Sequence, residues 1–146
     1  MSRGFCGEHH YNLDAKGRLS IPSEIRKVLA ENYEEKVILT KDPVEGYLVA
    51  YPLEVWGEHE EKVKKLGSTA AAKKYIRIVF SAAVECELDK QGRILLPPSL
   101  RDYAGLSREA VVVGASTRIE IWDKERYMKN NVMSEGEMEE LAKLGI

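Results

Sequence analysis

Leu13-Asp14-Ala15-Lys16-Gly17-Arg18-Leu19-Ser20-Ile21-Pro22-Ser23-Glu24-Ile25-Arg26 aligns without a gap to Leu88-Asp89-Lys90-Gln91-Gly92-Arg93-Ile94-Leu95-Leu96-Pro97-Pro98-Ser99-Leu100-Arg101. The offset is 75 residues, and six of the 14 positions are identical: Leu, Asp, Gly, Arg, Pro and Arg. An internal repeat decides an architecture before any local propensity does. Downstream, Val37-Ile38-Leu39 aligns with Val111-Val112-Val113, and Tyr47 to Tyr51 with Arg118 to Trp122. The chain of 146 residues is therefore two related halves.

Each half reads alike. A strand (about 8–14 and 84–89) leads into a tight Gly-containing loop. A short second strand follows (18–21 and 93–96). A proline then stops it and opens a helical turn, with Pro22 and Pro98 expected at the first helical position. Two more strands complete each half, joined by Asp42-Pro43 and Gly46 in one and by 114–117 in the other. The middle is helical. Trp56, His59, Val63 and Leu66 share one face, while Glu58, Glu60 and Glu61 each precede a lysine by four residues. After Gly67-Ser68, a second helix gathers Ala72, Ile76, Val79, Phe80 and Ala83 on one face. The tail from Asp123 to Leu144 reads as helical and acidic.

A half of about 75 residues with four short strands is marginal alone. The economical expectation is an α+β fold in which the halves interdigitate into one pseudo-twofold β-barrel. The expected layout is a first repeat over 1–56, central helices over 57–83, a second repeat over 84–127, and a helical tail over 128–146.

The repeated Asp-x-x-Gly-Arg carries the chemistry. Gly17 and Gly92 suit a positive φ. Asp14 and Asp89 can accept hydrogen bonds from backbone N–H groups in a tight turn. Arg18 and Arg93 then open the next strand. On the plainer reading, each arginine pairs with its own aspartate and staples the loop. On the functional one, a two-fold barrel sets both loops on one face, where Lys16 and Lys90 join them, with Arg26, Lys27 and Arg101 nearby. Segments 12–27 and 89–101 are each net +2, inside a chain of net charge −2. A basic face within a near-neutral protein points to nucleic acid, because guanidinium forks match phosphate oxygens and guanine edges.

Other classes fit less well. No uncharged apolar-rich run, Ile78 to Val84 among them, comes near the roughly 20 residues a membrane span needs. Met1 to Phe5 has no signal-peptide character. Two cysteines do not make a secreted scaffold, so a cytoplasmic protein is expected. Paired carboxylates at Asp14 and Asp89 are better read as turn supports than as an acid–base pair, so no catalytic residue is assigned. Cys6, His9 and His10 lack a second ligand pair at zinc-like spacing, and neighbouring strand residues face opposite ways. No metal or cofactor is expected. Cys86 reads as a small buried apolar residue, and Tyr11, Tyr47, Tyr51, Trp56, Trp122 and Tyr127 as packing residues. A protein-interaction or scaffold module of the same barrel type is the alternative function.

Met1-Ser2-Arg3-Gly4, Asp14 to Pro22, Leu48 to Trp56 and Glu85 to Pro97, followed by Ala104-Gly105-Leu106 and Glu120-Ile121-Trp122-Asp123, together resemble the MraZ family over about residues 1–127. The resemblance implies two copies of the swapped-hairpin barrel of AbrB-type regulators. It also implies a bacterial transcriptional regulator that binds short direct repeats upstream of the division and cell-wall gene cluster containing its own gene. Such proteins assemble into rings, and a nucleoid location follows. The family's loop arginine maps onto Arg18 and Arg93, its N-terminal arginine onto Arg3, and its loop lysine onto Lys16. Ser2, where an aromatic is common, and His9-His10 depart from the pattern. Gln91 stands where the first copy has Lys16, with Lys90 one position earlier.

Overall fold

The computed structural model describes residues 3–146; Met1 and Ser2 lie outside the described residues. The chain is mixed α+β. Its elements run β1 (Glu8–Asn12), β2 (Arg18–Ser20), α1 (Ser23–Asn32), β3 (Lys36–Lys41), β4 (Leu48–Pro52), α2 (Leu53–Val63) and α3 (Ala70–Ala82). They continue β5 (Val84–Glu87), β6 (Arg93–Leu95), α4 (Pro98–Ala104), β7 (Glu109–Ala115), β8 (Arg118–Asp123), α5 (Lys124–Asn130) and α6 (Glu135–Lys143).

The strands form a six-stranded antiparallel sheet, β1-β7-β8-β4-β3-β5, and a separate pair, β2-β6. The halves exchange strands: β1 of the first pairs with β7 of the second, and β5 of the second with β3 of the first. A pseudo-twofold axis is visible in the registers. Leu19 pairs with its own repeat equivalent Ile94, and Val49 with its equivalent Glu120.

A closed hydrogen-bonded barrel is absent among the described residues. No ladder joins β1 to β2 or β5 to β6. One backbone bond marks each seam, Asp14 N–H to the Arg18 carbonyl (3.1 Å) and Asp89 N–H to the Arg93 carbonyl (2.9 Å).

The alignment of the third strands is corrected by one residue. Val37 and Leu39 face the main core alongside Ala110 and Val112, whereas Val111 belongs to a second cluster. Val37 is therefore equivalent to Ala110. Strand period two makes this decisive, since a one-residue slip reverses every side chain, and Val-Val-Val conceals the choice.

The main core gathers Leu19, Ile94, Leu48, Ile119 and Ile121 from the strands with Ile25 and Leu29 of α1 and Leu100 and Ala104 of α4. Their i, i+4 spacing gives each helix one apolar stripe. Leu19 and Ile94 are essentially inaccessible, so truncating either to alanine costs about 2–5 kcal/mol. The second cluster, Tyr47, Val49, Val111, Trp122 and Tyr127, lies apart from it.

Pro22 and its equivalent Pro97 sit at the N-cap, one residue before the helix, and only Pro98 occupies the first helical position. The turn expected after Pro22 extends to a ten-residue helix. The tail is helical, as two helices started by caps at Asp123 and Ser134. Of the i, i+4 pairs expected on α2, none forms; Lys64 instead meets Glu61 at 3.1 Å. Among the described residues no helix is long and apolar enough to cross a membrane.

Candidate nucleic-acid interface

Both Asp-x-x-Gly-Arg loops fold identically. Asp14 Oδ1 accepts from the backbone N–H of Lys16 (3.0 Å) and of Arg18 (2.8 Å), and Oδ2 accepts from Arg18 Nε–H (2.7 Å). Asp89 Oδ1 accepts from the N–H of Gln91 and of Arg93, and Oδ2 from Arg93 Nε–H, all at 2.9 Å. Each aspartate carbonyl accepts from the glycine N–H at 3.0 Å. Gly17 and Gly92 take φ of +83° and +75°, where a side chain is strained. These backbone donors stabilise the charged carboxylates. The backbone N–H of Arg18, with the guanidinium beside it, holds Asp14 down at about 2. Asp89 is lowered by the same cause, led by the N–H of Arg93.

The staple and the presentation of arginine are one device. Each aspartate engages Nε of its own arginine, the inner edge of the fork, and so fixes the side chain without hydrogen-bonding the terminal nitrogens. The side chains of Arg18 and Arg93 remain 35% and 26% exposed.

The β2–β6 pair sets the two arginines side by side. Leu19 and Ile94 point inward, so alternation sends Arg18, Ser20, Arg93 and Leu95 outward. Arg18 stands opposite Leu95 and Arg93 opposite Ser20, which makes the arginines diagonal neighbours, roughly 7–8 Å apart. Arg93 Nη1 also lies 3.8 Å from Asp14 Oδ2, linking the loops directly. Lys16 and Lys90 are exposed at the loop tips.

Arg26 and Arg101 are placed differently. A Cβ at Gly92 would lie 2.6 Å from Arg26 Cδ, and one at Gly17 would lie 2.7 Å from Arg101 Cζ. Each arginine lies across the other half's loop glycine, with its Nε–H donated to the carbonyl of Ile21 (3.0 Å) or Leu96 (3.1 Å). They clamp the two halves together. Arg3 is not brought to the loops: its carbonyl meets Asn32 Nδ2 (3.4 Å) at the end of α1, six residues or about 9 Å along the helix from Arg26.

Ser20 and Leu95, the latter 58% exposed, complete the outer face and were not singled out from the sequence. The two-residue alternation about Leu19 and Ile94 is the signal that finds them. Arg126 was also missed. From α5 its Nη1 donates to the Gly46 carbonyl (2.7 Å) and the Tyr103 carbonyl (3.2 Å), pinning both halves from a position no local pattern marks. Five of the six aromatics singled out pack as expected: Tyr47 stacks on Trp122 at 4.7 Å, Tyr51 meets Trp56 at 5.7 Å and Tyr127 meets Trp122 at 5.6 Å. Tyr127 joins the second cluster, whereas Tyr11 stands exposed on β1. His9 and His10 point to opposite faces of β1, His10 toward Glu8 (2.8 Å) and His9 toward Glu24 (3.7 Å). Cys6 is exposed. Cys86 is half-buried against the core, and burial pushes its thiol pKa up.

Known proteins match this chain almost end to end. A family model described as "MraZ protein, putative antitoxin-like" matches residues 5–77 and 79–141. The Transcriptional regulator MraZ of Desulforamulus reducens is 48% identical over 139 residues, covering 94% of each chain. That of Pelotomaculum thermopropionicum is 45% identical over 139 residues, 94% of this chain and 92% of its own. That of Acetivibrio thermocellus is 43% identical over 97% of this chain and 99% of its own. The doubled loop and the doubled family match describe one architecture, and on both grounds the chain belongs to the MraZ family, which is one of transcriptional regulators and not of enzymes.

Proposed function

We propose that this protein is a transcriptional regulator that reads short direct repeats of double-stranded DNA upstream of the division and cell-wall gene cluster containing its own gene, and that it does so through its paired loops. One observation carries the reading: the outer face of β2–β6 is a two-stranded ribbon bearing Arg18 and Arg93 diagonally. A major groove about 12 Å wide admits such a ribbon. A spacing of roughly 7–8 Å corresponds to about two base-pair steps of 3.4 Å. Arg18 and Arg93 then address guanine edges, while Lys16 and Lys90 address phosphates. Arg26 and Arg101, with their Nε groups held by the fold, contribute their outer nitrogens to the flanking backbone, and Arg3 makes an outlying contact. The names of the relatives support regulation.

In the fuller form of this reading, β2–β6 closes the six-stranded sheet into a swapped-hairpin barrel across the two seams. Several copies associate, ring-like, along the repeats on the nucleoid of the cytoplasm. One copy neutralises few phosphates, so binding is modest and salt dependent, and linked copies raise the effective affinity.

A mobility-shift titration on the protein's own promoter tests this. Arg18→Ala is expected to cost about 1–3 kcal/mol, the worth of a bidentate base contact. Equal binding by Arg18→Ala and the unaltered protein overturns the assignment.

A further inference from the structure

The strongest cationic run of the chain lies away from the loops. Residues 62–77 contain Lys62, Lys64, Lys65, Lys73, Lys74 and Arg77 and no acid. They form the tip of the α2–α3 hairpin. At its base the Thr40 hydroxyl donates to the Val79 carbonyl, and Trp56 packs on Phe80 at 4.9 Å. Ten residues of α3, about 15 Å, separate Val79 from Thr69 at the tip. Among the described residues only Lys64 of these six is ion-paired. Between the helices at the tip lies an apolar groove of about 290 Å³, lined by His59, Lys62, Val63, Leu66 and Tyr75. Its wall is built, since His59 Nε2 and the Tyr75 hydroxyl share a hydrogen bond of 2.8 Å. Leu66 is half exposed above it.

The chain carries one element of complementary character. Helix α6 buries no residue, yet a complete capping box holds its first turn: Ser134 Oγ accepts from Glu137 N–H (3.2 Å), and Glu137 Oε1 from Ser134 N–H (2.8 Å). A nine-residue helix is too short to persist on propensity alone. Met138, Leu141 and Ala142 form an apolar stripe, which Glu135 and Glu139 flank on one side. Glu140 points the opposite way. Burial, and then the negative charges of Asp42, Glu120 and Glu137 of α6, push the Glu45 carboxyl up against the opposing Arg118.

We propose that the groove at the tip of the α2–α3 hairpin is the docking site for helix α6 of a second copy of this chain. The apolar stripe fills the groove and the flanking glutamates meet Lys62 and Lys74. The two surfaces are different, so the contact is head-to-tail, and its repetition closes a ring or runs on as a filament. A single short helix buries less than the roughly 800 Å² per partner of a standard interface, which makes one contact weak and an array of them useful. The proposal rests on the self-association read above and names the surfaces that produce it.

Sedimentation velocity over a range of concentrations tests it on the full chain. Lys62→Glu with Lys74→Glu, and separately Glu135→Lys with Glu139→Lys, should each weaken association at least about tenfold. Mixing the two variants should restore it, because the reversed pairs match again. Met138→Ser with Leu141→Ser, which alters no buried residue, should weaken association too. Glu140→Lys should leave it unchanged. Association that survives both charge reversals overturns the docking site while leaving self-association standing. A basic-tip variant that assembles normally but loses promoter affinity overturns it in favour of a second DNA contact. Loss with Glu140→Lys equal to that of the flanking pair overturns it as bulk charge. An unaltered protein that is monomeric throughout removes the self-association reading itself.

Discussion

The loop at Asp14–Arg18 and the loop at Asp89–Arg93 share every backbone hydrogen bond, yet they carry unequal loads. Asp14 is approached by two guanidiniums, its own Arg18 at 2.7 Å and the other loop's Arg93 at 3.8 Å. Asp89 meets its own Arg93 at 2.9 Å, with no reciprocal pair to Arg18 among the described residues. The first loop presents Lys16 where the second presents Gln91. The difference teaches that the two-fold symmetry belongs to the backbone, while the electrostatics pivot on the first loop. Asp14 is the shared anchor of both outward arginines.

Breaking that anchor should have the largest effect. Asp14→Asn keeps the shape but removes the charge that orients both forks, so promoter affinity should fall about tenfold. Asp89→Asn frees only Arg93 and should cost about threefold, since hydrogen bonds to a charged partner are the stronger kind. Equal losses in a mobility-shift assay would show the loops to be equivalent and remove the hierarchy.

The next test attacks what the loops have in common. Alanine at Gly17 would hold φ near +83° and push its Cβ into the Arg101 guanidinium, and alanine at Gly92 would do the same to Arg26. Each should lower stability by about 1–2 kcal/mol, the left-handed penalty, before the clamp shifts. The two losses should be similar, because the backbone symmetry is good here. Combining Gly17→Ala with Arg101→Ala should be less than additive, since they share one contact. Chemical denaturation reads both.

A smaller effect comes from the one unmatched tip. Gln91→Lys gives the second loop the lysine of the first. It should add one phosphate contact and steepen the slope of log K against log salt by about 0.9. An unchanged slope would place the tip of the second loop away from the DNA backbone.

The repeat made most of this legible from residues alone. The loop, the short second strand and the exchange between halves all follow from six identities at one offset. Legibility fails where three apolar β-branched residues run together: Val111-Val112-Val113 offers no alternation, so the register slipped by one. It fails again where a residue's role depends on the other half. Arg26 and Arg101 look like free cations in sequence, yet each spans a glycine 66 or 84 positions away. The basic run at 62–77 is plain in sequence but was masked by the glutamates of α2. The i, i+4 rule assigned them as partners, and the structure joins only Glu61 to Lys64.

The smallest effect concerns pH, and here too the anchor can be isolated. The Asp14 carboxyl is held at about 2 in the fold, below the roughly 3.9 of an unfolded chain. A depressed carboxylate contributes stability above its unfolded value and loses it as pH falls through the folded one. The first loop should therefore support the fold fully above about pH 5 and give way between about pH 4 and 2. In that acid window Asp14→Asn should flatten part of the fall in stability that the unaltered protein shows. Between pH 5 and 8 both forms keep their charge states at this position. Whatever the histidines do, the ratio of promoter affinities between the unaltered protein and Asp14→Asn should then be constant. A ratio that drifts within that range would mean the carboxyl titrates there, and that the Arg18 backbone N–H does not hold it as the geometry requires.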